Sequence, residues 1–109
     1  MDADLVLILT TLGVDVDADA FARTLVEERL AACVNVGPPM TSWYRWKGGI
    51  DSATERQLVI KTTIARMTAL EGRMRQLHPY ELPEFLVVPT MGGSDAYLGW
   101  ARTSVERQP

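Results

Sequence analysis

At 109 residues, 47% hydrophobic and 23% charged, the chain has the size and balance of one soluble globular domain over residues 1–109, with material for a single core. A formal net charge of −3 excludes the basic patch by which proteins hold nucleic-acid phosphates, and a single cysteine, Cys33, excludes a disulfide within the chain. The acidic start Met1-Asp2-Ala3-Asp4 lacks the positive charge of a secretory signal, and the apolar run Leu5 to Leu9 is too short for a signal core or a membrane span. No nucleic-acid or membrane partner is therefore expected, and the expected location is cytoplasmic.

Leu5 to Leu9 is continuously apolar and precedes Thr10-Thr11-Leu12-Gly13, which suits a central strand covered on both faces. Asp15, Asp17 and Asp19 offer caps and first-turn negative charge to a helix predicted from about Ala18 to Ala31, with Phe21, Ala22, Leu25, Val26 and Leu30 as its apolar face. Cys33-Val34-Asn35-Val36 reads as a strand that Gly37-Pro38-Pro39 interrupts or bends, and the chain continues extended through Trp46 to a turn at Lys47-Gly48-Gly49. From Ile50 to Thr63 the residues alternate, placing Leu58, Ile60 and Thr62 on one face. Met67, Leu70, Met74 and Leu77 then recur at helical spacing, and this second helix must stop before His78-Pro79. Phe85 to Val88 is the fourth strand; Ser94-Asp95 caps a last helix whose apolar side is Tyr97, Leu98, Ala101 and Val105.

The order βαββαβ with a C-terminal helix predicts an α+β class, a ferredoxin-like sandwich with helices on one face of a four-stranded antiparallel sheet. A strand of about fourteen residues spans roughly 45 Å, whereas a helix of about thirteen covers roughly 20 Å. The central hairpin therefore overruns its own helices. The overrun carries Trp43, Tyr44 and Trp46, residue types enriched at interface centres, so a homo-oligomer is expected.

Chemistry concentrates in His78-Pro79-Tyr80-Glu81-Leu82-Pro83-Glu84, where two prolines hold an imidazole, a phenol and two carboxylates on a stiff loop. His78, with Glu81 or Glu84 beside it, suits a zinc or copper ion; the alternative is an imidazole that caps the preceding helix. Cys33 offers a soft thiolate, or a nucleophile with His78 as base, against the plainer reading of a small core residue between Ala32 and Val34. Met67 and Met74 suit a thioether set with Met91 less well than they suit the core. One histidine and one cysteine cannot close a structural zinc site, and no glycine-rich loop opens a helix as a phosphate cradle would.

The runs Leu30-Ala31-Ala32-Cys33-Val34-Asn35, Ser42-Trp43-Tyr44-Arg45-Trp46-Lys47-Gly48, Lys61-Thr62-Thr63, His78 to Glu84 and Tyr97-Leu98-Gly99-Trp100 together resemble the CutA divalent-cation tolerance proteins. The resemblance covers about Leu5 to Arg102. It implies a ferredoxin-like subunit in a tight trimer whose hairpins pair across subunits, an architecture similar to the PII signalling proteins. It also implies a role in response to metal ions, copper binding in some bacterial members, and no enzymatic activity or required cofactor. Thr10 and Leu77 stand where copper-binding members carry a cysteine and a second histidine. The expected sites are a metal position at His78 and Glu81, a trimer interface at Trp43, Tyr44 and Trp46, and an intersubunit cleft where Trp46, Lys61, Tyr80 and Glu84 hold a small polar ligand. Glu55 and Lys61 share one strand face, six positions apart, and the plainer reading there is a solvated edge. The second functional reading is a PII-like module that binds a metabolite in that cleft; the third is a hydrolase or transferase using Cys33 and His78.

Overall fold

The computed structural model describes residues 4–107; the first three residues of the acidic start lie outside them. The elements are β1 (Leu5–Gly13), α1 (Ala18–Glu27), β2 (Cys33–Trp46), β3 (Gly49–Thr63), a 3-10 turn (Ile64–Arg66), α2 (Met67–Leu77), β4 (Leu86–Pro89) and α3 (Asp95–Ser104). All four strands join one antiparallel sheet in the order β2-β3-β1-β4. This is the ferredoxin-like α+β layout that the sequence predicts.

The period of two along the strands sorts residues between the sheet's faces. Val6, Ile8, Thr10 and Leu12 of β1 lie on one face with Leu58, Ile60 and Thr62 of β3, all buried. Phe21 and Leu25 of α1 and Leu70 and Met74 of α2 pack on that face and complete the main core. The other face carries Leu7, Leu9, Thr11, Glu55, Gln57, Val59 and Lys61, with Leu86 and Val88 of β4 beside them. One end of it is covered by α3: Leu5 and Ala32 pack against Leu98, Ala101 and Val105, the last two on and just beyond that helix. Asp4 and Arg102 add an ion pair of 2.8 Å at that end.

Helix α1 starts where Asp17 accepts the Ala20 N–H at 3.0 Å, an N-cap that satisfies one of the free donors of the first turn. It ends at Glu27, four residues short of the predicted end at Ala31. Arg29 takes a left-handed φ of 59°, so that the N–H groups of Leu30 and Ala31 both turn back to the Leu25 carbonyl. Leu30 and Ala31 are still buried, but as part of this reversal, and Val26 is exposed rather than on the core face. No glycine marks the stop, which is why the pattern of apolar residues overran it. The Glu28 and Arg73 side chains join α1 to α2 through two contacts of 2.9 Å.

Gly37-Pro38-Pro39 bends β2 without ending it. Val36 pairs with Leu58 and Pro39 with Arg56, so β2 advances three residues while β3 advances two, and one extra residue forms a bulge. Gly37 sits against the Gln57 carbonyl oxygen, which a Cβ at that position would meet at 3.0 Å. The bulge has a geometric consequence. Cys33 and Asn35 share a face with Lys61 and Val59, but beyond the bulge it is the even-numbered Met40, Ser42, Tyr44 and Trp46 that lie on that face.

Beyond the Gly13–Glu55 pair, β2 and β3 continue without β1 as a two-stranded arm. Its tip is a two-residue loop, Lys47 and Gly48, with φ of 49° and 81°; positive φ at both positions matches the right-handed twist of a tight hairpin. Trp43, Tyr44 and Trp46 lie on the arm with 73%, 39% and 38% of their surface exposed.

Candidate functional site

The polar cluster lies at the base of the arm, on the sheet face that the helices α1 and α2 leave open. Glu55 is its centre. It is the β3 residue opposite Gly13, and only 7% of its surface is exposed. Burial opposes its charge, yet the hydroxyls of Ser42, Tyr80 and Thr11 outweigh it and hold the carboxyl below the ordinary carboxylate range. Ser42 reaches this position because of the bulge. On an unbroken register it would lie on the opposite face.

Pro79 forces His78 out of the helical region, and α2 stops there with His78 at φ −79° and ψ 129°. The next residue but one, Tyr80, swings its phenol over Gly13 and donates to Glu55 Oε2 at 2.7 Å. Burial and the neighbouring Glu55 charge push the Tyr80 phenol well above its ordinary range, so it stays a donor. The Glu84 carboxyl is raised by burial and then by Glu55; its Oε2 is buried and has no hydrogen-bond partner.

His78 stands behind this cluster with 7% of its surface exposed. Its Nε2 lies 2.8 Å from the Thr11 carbonyl oxygen and its Nδ1 accepts the Tyr80 N–H at 3.2 Å. The rings of Phe21 and Tyr80 meet the imidazole edge-on, at centroid distances of 6.0 and 4.8 Å. Burial holds its pKa below the ordinary value, with the Thr11 carbonyl and Glu55 opposing. The backbone of His78 caps α2 by donating to the Met74 carbonyl at 2.7 Å, whereas its side chain serves β1 and the loop instead of the helix end.

Of the residues expected in a cleft, one chain brings Tyr80 and Glu84 together around Glu55 and leaves two elsewhere. Lys61 lies six residues along β3 from Glu55, roughly 20 Å away, with its Nζ 5.9 Å from the Tyr97 ring centroid. Trp46 lies at the arm tip, six residues along β2 from Met40, the cross-strand partner of Glu55, and again roughly 20 Å distant. Within a single chain these four residues form no common pocket.

Metal chemistry finds a poor fit here. Both His78 nitrogens are engaged, Glu81 is exposed, and among the described residues no group of three or more His, Cys, Asp and Glu side chains is placed to hold an ion. Cys33 is half-buried on the open face opposite Lys61, four residues along β3 from the Thr11 partner Gln57, roughly 13 Å, so it has no base in His78. Met67 and Met74 pack in the core, while Met91 is 89% exposed. Sequence reasoning placed Glu55 on a face with Lys61 but missed its central position. The signal was the single residue added by Gly37-Pro38-Pro39, which sets the faces of Ser42 and Tyr44.

A split βαβ sheet, a hairpin arm that outruns it and a hydroxyl-bound carboxylate at the arm's base define a ferredoxin-like α+β protein with an extended central hairpin. A family model described as "CutA1 divalent ion tolerance protein" matches residues 6–104. The chain belongs to this family. It is 43% identical over 96 residues to the divalent-cation tolerance protein CutA of Thermus thermophilus, a match covering 88% of this chain and 93% of that one. The corresponding protein of Pectobacterium atrosepticum is 41% identical over 102 residues, covering 94% and 93%. Among solved structures, CutA from Synechococcus elongatus superposes with a TM-score of 0.90 at 43% identity, covering 97% of this chain and 95% of that one.

Proposed function

We propose that the chain acts in the tolerance of divalent cations, copper and zinc being the expected ones, as a non-enzymatic homotrimer in the cytoplasm. The carrying observation is the surface left without a partner. Leu7, Leu9 and Val59 are half-buried, Leu86 and Val88 are exposed, and together with the arm they make an apolar face bordered by the free edges of β2 and β4. An apolar face and two open strand edges favour self-association, and copies related by a closed rotation bury both. Family membership supports the cation role. Among the described residues no set of side chains makes a resident metal site, so no step is assigned to a bound ion.

One observation favours the second reading, a PII-like module that binds a small polar metabolite between subunits. The buried Glu84 Oε2 lacks a donor beside Glu55 and Tyr80. Lys61 and Trp46, remote within one chain, join such a cleft only from neighbouring copies.

Light scattering tests the assembly: the wild-type mass should be three times that of one chain, and Leu9→Lys, a charge on the apolar face, should lower it. A monomeric wild type refutes the trimer. For the role, a strain lacking the gene should lose growth at raised copper or zinc and regain it with the wild-type gene; equal growth with and without the gene refutes it.

A further inference from the structure

We infer that His78 is a positioning residue: its imidazole fixes Tyr80 against Glu55 and binds no metal. A neutral imidazole has one N–H and one lone pair. The Thr11 carbonyl can only accept, so the hydrogen belongs on Nε2, and the Tyr80 amide can only donate, so the lone pair belongs on Nδ1. A metal needs a free lone pair on a ring nitrogen. The only one is already used. Coordination through Nε2 would need the other tautomer and would break both bonds.

The sequence around the ring agrees. Pro79 has no N–H, so Tyr80 supplies the first amide after His78, and the ring accepts from it across two residues as an Asx side chain does in a turn. The Thr11 carbonyl lies on β1 two residues before Gly13, the partner of Glu55. One ring therefore ties the loop to the strand beside the Tyr80–Glu55 contact. Thr10 is fully buried and Leu77 packs against the main core, so neither adds a ligand.

The inference rests on the cleft reading only in taking Tyr80 and Glu55 as a wall of that site. Nitrogen NMR of 15N-histidine protein should show the neutral Nε2–H form, unmoved by excess Zn(II). A neutral Nδ1–H form, or a stoichiometric shift on adding zinc, overturns it. Calorimetry with Cu(II) should give the same result for wild type and His78→Asn, and a loss of about tenfold in affinity, a change of about 1.4 kcal/mol, overturns it. Asn keeps an acceptor near the Nδ1 position, so His78→Asn should retain slow exchange at the Tyr80 amide, while His78→Ala should speed it about tenfold with Ile8 and Leu58 amides unchanged. Equal Tyr80 exchange in wild type and His78→Ala also overturns it. If His78→Ala does not fold, the tautomer and the Asn variant decide. Loss of the trimer or of cation tolerance would refute the proposed function and leave these readouts standing.

Discussion

Replacing Tyr80 with Phe removes one of the hydroxyls that face the buried Glu55 carboxylate. Glu55 is nine-tenths buried, accepts from the Tyr80 phenol at 2.7 Å and forms no salt bridge among the described residues. A hydrogen bond to a charged group contributes about 1.5–3 kcal/mol, and the Ser42 and Thr11 hydroxyls that help to lower the Glu55 pKa stay in place, so the expected loss is about 2 kcal/mol at neutral pH. With a urea slope of about 2 kcal/mol/M, the midpoint should fall by about 1 M. Unfolding should be compared at one protein concentration, because assembly adds to apparent stability. The pH dependence has a fixed sign. Glu55's folded pKa lies below its unfolded value, so its contribution is fully present above that unfolded value, near 4.5, and is lost as pH falls through the folded one. Tyr80→Phe weakens this term, and the gap between wild type and variant should narrow as pH drops from about 5 toward 3. A loss that is the same at both ends would show that the phenol acts by packing alone. A loss under about 0.5 kcal/mol at neutral pH would refute the bond itself.

Two further substitutions test the frame that holds the cluster. Leu70→Ala, at a fully buried position facing the sheet, should lower stability by about 2–5 kcal/mol in urea unfolding, and a smaller loss would mean that α2 collapses onto the vacancy. Gly37→Ala should cost about 1–3 kcal/mol, since its Cβ meets a backbone oxygen that cannot rotate away, and a neutral result in thermal unfolding would show that the bulge yields.

Much of this was legible from pattern. Alternation from Leu58 to Thr62 placed the core face of β3 correctly, and His78-Pro79 fixed the end of α2, because both signals are local. The end of α1 was not, because a left-handed arginine closes it and the anchors of that residue are distant: its guanidinium reaches the Ser104 carbonyl at 3.3 Å and its carbonyl accepts from Arg66 at 3.2 Å. The candidate site was half legible. Tyr80 and Glu84 were readable as polar groups on a stiff loop, but Glu55 gains its meaning from Thr11, Ser42 and Tyr80, which lie on three other segments. The spacing of Lys61 and Trp46 from that centre follows from strand length and could be measured only once the register was known.

The bulge at Gly37-Pro38-Pro39 is one residue of slack in β2, and it makes the direction of a length change matter. Deleting Pro38 would close the bulge: Gly37 would take Gln57 as its partner while Pro39 kept Arg56, Met40 kept Glu55 and Ser42 kept Ala53, so every arm side chain would hold its present face. Adding a residue at the same place would instead move the arm one position along β3 and turn it over. Trp43 would then take the side now held by Tyr44, and Ser42 would leave Glu55 for the far side of the sheet. The base of the arm should thus withstand the loss of a residue better than the gain of one.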